Sequence, residues 1–269
     1  MANLETSFEN DLRDRFREYL KNLPRTKNKK VIYSLFQKLK KLELDLYLFG
    51  GFPKDIYFKK YKAIPRDIDL VVLQNNLNGL LDEFKDYRIE KSRFGGIKIK
   101  YEGIDVDIWP LAKTWAFENG NIPLSNVDSL SKTTFLNIES IAIELYPKEN
   151  TRKIVTDGFL DATKEKVLEL NLQDNPFPEL NIARALYSAK RLKYTFGPKL
   201  MEFISASLKR HDEDEILQIY ERKYGITERE KQVYKKMLKS LKRNQTTTLK
   251  DYNTFINFKN QQFNLFDKT

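Results

Sequence analysis

Cysteine is absent from the 269 residues, so disulfides and thiolate metal sites are excluded. Histidine occurs once, at His211, which excludes a multi-histidine zinc site. No apolar run approaches the ~20 residues of a membrane span, so no membrane crossing is expected. The opening residues, Met1-Ala2-Asn3-Leu4-Glu5, contain no apolar signal region, and a cytoplasmic location is the simplest expectation. Acidic residues are the minority charge: 48 Lys and Arg against 38 Asp and Glu give a net charge of +10. That surplus favours polyanionic partners, nucleic acid or nucleotides ahead of a membrane surface. With 41% hydrophobic residues, the chain can build a core and disorder is not the default.

What is present is concentrated in residues 48–72. The segment reads Leu48-Phe49-Gly50-Gly51-Phe52-Pro53-Lys54-Asp55, a spacer, then Pro65-Arg66-Asp67-Ile68-Asp69-Leu70-Val71-Val72. A short apolar strand (Leu46, Leu48, Phe49) runs into two glycines, and Pro53 opens a helical turn. A second strand begins with aspartates at alternate positions. Alternation puts Asp67 and Asp69 on one face and Ile68 and Leu70 on the other. Two carboxylates this close repel each other, and a divalent cation is the usual remedy. The glycine pair lets backbone approach a phosphate group, because no Cβ intrudes.

The rest of the chain alternates between two periods. Phe8, Leu12, Phe16 and Leu20, spaced by four, predict a helix over 5–22. Ile32, Leu35, Phe36, Leu39 and Leu42 predict a second, and Leu77, Leu80, Leu81 and Phe84 a third. Residues 87–91, 97–101 and 104–109 are short alternating runs separated by Gly95-Gly96 and Gly103, as in hairpins. The last of them carries Asp105 and Asp107 on one face. Residues 135–146 are ambiguous between strand and helix, and 161–170 reads as helix. Beyond 175 the pattern is helical. Thr227-Glu228-Arg229-Glu230 is a capping box, opening a helix with an apolar stripe of Val233, Met237 and Leu241. Its polar face carries Lys235, Lys236, Lys239, Lys242 and Arg243. The aromatics of the tail, Tyr252, Phe255, Phe258, Phe263 and Phe266, are expected to dock on the helices.

The glycine pair followed by the Asp-Ile-Asp strand resembles the active-site signature of the DNA polymerase beta-like nucleotidyltransferase superfamily. With Lys54-Asp55 after the glycines, it is most similar to the head of tRNA CCA-adding enzymes and bacterial poly(A) polymerases, where Arg-Asp follows. The resemblance extends over residues 31–195. Asp157, Gly158 and Asp161 parallel the head-to-neck motif, and Arg184-Ala185 the end of the neck-helix motif. It implies an α+β fold, a small mixed sheet flanked by helices and followed by an α-helical domain. The implied division is 1–30 (N-terminal helix), 31–175 (nucleotidyltransferase domain) and 176–269 (helical neck and C-terminal domain). It also implies that Asp67, Asp69 and Asp107 are catalytic and hold Mg²⁺ or Mn²⁺, Asp107 being preferred to Asp105 for the third position. Gly50, Gly51, Lys54, Arg66 and Arg184 are the implied contacts to the NTP. Pro178 and Asn181 stand where the family has its base-reading acid and arginine, so ordered C-C-A synthesis is not implied. The implied reaction is transfer of a nucleoside monophosphate from an NTP to a hydroxyl, with release of pyrophosphate. The expected acceptor is an RNA (tRNA) 3′ end, tracked by the basic face over 235–243. The alternatives are a toxin-like enzyme that modifies a protein or small molecule, and a catalytically silent nucleotide- or RNA-binding module.

Overall fold

The computed structural model of the chain describes residues 2–25, 29–59, 62–92, 95–149 and 151–243. The five tail aromatics named above lie outside the described residues. Two compact units are present, Met1–Thr134 with Glu139–Leu160, and Phe135–Ile138 with the chain from Asp161 onward. The N-terminal helix therefore belongs to the first unit, and the division falls near 160, whereas the sequence reading divides the chain at 30 and 175.

The first unit opens with α1 (Ala2–Asn22) and α2 (Lys30–Lys40), then β1 (Leu46–Phe49), α3 (Gly51–Lys59) and β2 (Asp67–Val72). It continues through α4 (Asn78–Glu83), β3 (Arg88–Lys91), β4 (Ile97–Tyr101), β5 (Ile104–Pro110), α5 (Trp115–Glu118), β6 (Ile141–Glu144) and β7 (Ile154–Thr156). The strands form one sheet in the order β3-β4-β5-β2-β1-β6-β7. Every neighbouring pair is antiparallel except β2 and β5. Segment 135–146, ambiguous in sequence, supplies β6. The β4–β5 connection is a two-residue turn, Glu102-Gly103, with both φ positive. That is the twist-matched hairpin geometry, and it sets the register that places β4 beside β5.

One sheet face is a continuous apolar surface. Leu46 and Leu48, Ile68 and Leu70, Ile97 and Ile99, and Val106 and Ile108 are all buried there. The opposite face carries the aspartates of β2 and β5. Farther along the same strands it carries a smaller cluster of Tyr47, Val71, Leu130 and Ala142, with Phe49 and Trp109 packed against it. The helices buttress the unit by a stripe of α1. Phe8, Leu12, Phe16 and Tyr19 are buried while Leu20 is only half-buried. Spacing by four overshoots the 3.6-residue turn, so by the third step the core face has moved back one position. Tyr19 meets Phe52 edge-on at 5.5 Å and Arg15 lies over Tyr57 at 4.7 Å, which ties α1 to α3. Each such fully buried side chain contributes about 1.5–3 kcal/mol.

The helix α6 (Phe159–Glu165) leads into the second unit, which holds β8 (Val167–Leu168), α7 (Pro178–Leu192), β9 (Thr195–Phe196), α8 (Pro198–Ser207), α9 (Glu213–Tyr224) and α10 (Glu228–Lys242). The helix expected over 161–170 stops at Glu165. Lys166 takes φ +57°, and β8 pairs in parallel with β9. α7 packs on α9, with Tyr187 stacked on Tyr224 at 4.1 Å. The capping box is formed as the sequence suggests, Thr227 and Glu230 each bonding the other's backbone. The buried stripe of α10 is Tyr234, Met237, Leu238 and Leu241; Val233 is half-buried at its edge. Among the described residues no helix is long and apolar enough to cross a membrane.

Candidate active site

The parallel pairing of β2 with β5 sets Asp67 beside Asp105 and Asp69 beside Asp107. Neighbours in register on adjacent strands share a face, about 4.8 Å apart. Four carboxylates thus form a two-by-two array on one side of the sheet. The antiparallel strand β4 continues both rows with cations, Lys100 beside Asp105 and Lys98 beside Asp107. β3 extends them with Arg88 beside Lys100 and Glu90 beside Lys98. These side chains other than Asp69, together with Arg66, line a cleft of about 400 Å³.

Inside it Asp67, Asp105 and Asp107 face internal cations. Arg66 Nη2 lies 2.9 Å from Asp67 Oδ2, Lys98 Nζ lies 3.2 Å from Asp107 Oδ2, and Lys100 Nζ contacts Asp105 Oδ1. The other oxygen of Asp107, Oδ1, is buried and accepts no hydrogen bond. A buried carboxylate oxygen without a partner is costly and rare in a folded protein; a cation at that position would satisfy it. The donor set is all oxygen, which fits Mg²⁺ or Mn²⁺ and not zinc. The structure also separates the two candidates on β5: the Asp105 side chain is 57% exposed and that of Asp107 is 29%.

The glycines sit at the adjoining end of β1. Because β1 runs antiparallel to β2, its last residues lie beside the aspartate end of β2. Gly50 takes φ +66°, and its N–H donates to Ile141 O at 2.9 Å. Its amide is therefore spent on the sheet, and Gly50 supplies the turn but no phosphate donor. Gly51 starts α3, where the first N–H groups have no intrahelical acceptor and favour an anion. A Cβ built on Gly51 would meet nothing within 4 Å, so the space over this helix end is open, of the kind a phosphate would use.

Lys54 is placed differently from its expected role. It is only 8% exposed, and its Nζ lies 3.6 Å from Glu139 Oε1. Its charge is answered inside the protein. Arg66 lines the cleft beside Asp67. Arg184 sits half-buried on α7, in the second unit. Asn181, at the base-reading position, is buried and its amide donates to Pro176 O at 2.9 Å.

Three of the five cations on the basic face of α10 have acidic neighbours within the protein. Lys235 bonds Asp214 at 2.5 Å, Lys242 lies 3.2 Å from Glu213 and Lys239 3.8 Å from it. These lysines answer the acidic first turn of α9, and Lys235 in turn holds the Asp214 carboxyl below its ordinary range. Periodicity in one helix could not reveal acids supplied by its neighbour. Lys98 and Lys100 were also missed. The available signal was their alternation across the Glu102-Gly103 turn from Asp105 and Asp107, which a two-residue hairpin forces into register. Among the described residues, the donor atoms that already lie within 4.8 Å of one another as a possible metal group are those of Glu179, His211 and Glu215, in the second unit. The aspartates of the array are not gathered to that degree; Asp67, Asp107 and Asp105 are turned to Arg66, Lys98 and Lys100.

No protein-family model matches the chain, and no curated protein does. Solved structures do. The chain shares its fold with solved CCA-adding enzymes and a tRNA nucleotidyltransferase. A CCA-adding enzyme in complex with CTP matches 78% of this chain and 51% of its own at 20% identity and a TM-score of 0.58. The Thermotoga maritima CCA-adding enzyme complexed with tRNA matches 78% of this chain and 50% of its own, at 18% identity and 0.57. A tRNA nucleotidyltransferase complexed with a primer tRNA and an incoming ATP analogue matches 79% and 61%, at 16% identity and 0.54. The chain spans about half the length of the solved structures it matches first, and at these identities the likeness establishes the fold.

Proposed function

We propose that this chain is a metal-dependent nucleotidyltransferase, which moves a nucleoside monophosphate from an NTP to a hydroxyl acceptor and releases pyrophosphate. The observation that carries this reading is the carboxylate array of β2 and β5, with the unpartnered Asp107 Oδ1 buried within it. Asp67, Asp69 and Asp107 are the residues that would hold the cation. When bound there, Mg²⁺ or Mn²⁺ supplies charge stabilisation for the triphosphate and acidifies the acceptor hydroxyl. The amide of Gly51 and the open end of α3 receive a phosphate, and Arg66 orients the Asp67 carboxylate. The contribution of the chain is positioning and charge neutralisation, and this chemistry calls for no covalent nucleophile.

The acceptor in this reading is an RNA 3′ end, with tRNA first. The net charge of +10 and the fold shared with tRNA-bound enzymes support it. A cytoplasmic setting accompanies it. Asn181, its amide engaged with Pro176, reads no base here, so selectivity among the four NTPs is broad. Comparing Asp107→Asn with Asp105→Asn tests the site. Asp107→Asn is expected to lower transfer by about 10²-fold or more, as when one preorganised transition-state contact is lost. Asp105→Asn should lower it far less, and the reverse order would refute the assignment.

A further inference from the structure

The triphosphate of an NTP needs cations, and the helix that follows the glycines does not supply one, because Lys54 is buried against Glu139. The cleft supplies them from another element. Lys98 and Lys100 project from β4 on the aspartate face, in register with Asp107 and Asp105, with Arg88 behind Lys100. We infer that Lys98, aided by Lys100, is an exchangeable internal cation: it occupies the carboxylates before the divalent ion enters and then turns to the phosphates of the NTP. This rests on the proposed function and assigns the substrate's charged tail to the β3–β4 hairpin.

Three observations carry it. The Lys98 ammonium lies 3.2 Å from Asp107 Oδ2, the partner oxygen of the buried unpartnered Oδ1. The Lys98 side chain is 56% exposed, so its flexible stem can swing into the cleft without disturbing the core. Asp67, Asp107 and Asp105 are turned toward Arg66, Lys98 and Lys100, and the aspartates are not gathered on one another. With a divalent ion held by Asp107, the Lys98 ammonium would face a like charge a few ångströms away, and repulsion would favour its outward position, toward the triphosphate.

This exchange has a signature that a structural role lacks: loss of the lysine charge moves two affinities in opposite directions. The experiment measures Mn²⁺ binding by the electron-spin signal of free Mn²⁺. In parallel it measures binding of a non-hydrolysable ATP analogue in saturating Mn²⁺ by equilibrium dialysis. The full chain, Lys98→Gln, Lys98→Arg and Asp107→Asn are compared, with urea midpoints to verify folding. Lys98→Gln is expected to bind Mn²⁺ alone about fivefold tighter and the nucleotide about fivefold weaker, the size of a partly exposed charge pair. Lys98→Arg should restore both. Affinities that weaken together, or do not change, overturn the inference. A wild-type chain that fails to bind Mn²⁺, or Asp107→Asn binding it equally well, overturns instead the site reading on which the inference rests.

Discussion

Gly51→Ala separates folding from function in a single methyl group. Gly51 opens α3 without positive φ, and a Cβ there touches nothing within 4 Å. Alanine therefore costs no strain, and the reduced freedom of the unfolded chain stabilises the protein by about 0.4–1 kcal/mol. The same methyl stands over the N–H groups at the start of α3, in the space proposed for a phosphate. Loss of that approach is expected to weaken NTP binding about tenfold, or ~1.4 kcal/mol. Gly50→Ala is the matched control. At φ +66°, alanine costs about 1–2 kcal/mol, while the Gly50 amide already serves Ile141 and offers nothing to the ligand. Urea unfolding and equilibrium dialysis of labelled ATP with Mg²⁺ on both variants should give a crossed pattern. Gly51→Ala is stable and binds weakly; Gly50→Ala is less stable and binds nearly as wild type. Undiminished ATP binding by Gly51→Ala would refute the placement of the phosphate.

Replacing Lys235, Lys239 and Lys242 together by alanine should leave the salt dependence of RNA binding unchanged. A lysine that contacts single-stranded RNA contributes about −0.7 to the slope of log affinity against log salt, and these three are matched by Asp214 and Glu213. A slope less negative by about 2 in the triple variant would restore that face as an RNA contact. Glu230 gives the chain an acid-sensitive stability. Burial pushes its carboxyl up, but hydrogen bonds from Lys190 and Thr227 outweigh that and leave it below its ordinary value. A carboxyl lowered on folding stabilises above its unfolded value, about 4.3, and loses that contribution as pH falls through the folded value. Lys190→Met should thus lower the urea midpoint at pH 7 and much less at pH 3; an equal loss at both would contradict the pairing.

The aspartate strand and the hairpins were legible because their signals are local. Asp67 and Asp69 alternate within β2, and the glycines at 95, 96 and 103 punctuate three strands. The capping box of α10 lies within four consecutive residues. What escaped depends on partners remote in sequence. Lys54 has the charge expected of a phosphate contact, yet Glu139, 85 positions away, takes it. The helix expected over 161–170 ends early because β9 offers β8 a strand partner, which the 161–170 window alone does not contain. Asp105 and Asp107 are equivalent by alternation. Only the stacking of β4, β5 and β2 shows that one is exposed and the other holds a buried oxygen.

The central claim is tested most directly by incubating the full chain with Mg²⁺, α-³²P-labelled NTPs and total RNA, beside the Asp69→Asn variant. The account predicts label joined to the 3′ end of tRNA-sized RNA, blocked when that end is oxidised with periodate before the reaction, and absent with Asp69→Asn. Label appearing in protein or in a small molecule would contradict the RNA acceptor, and undiminished transfer by Asp69→Asn, or no transfer by the wild-type chain, would contradict the carboxylate array as its active site.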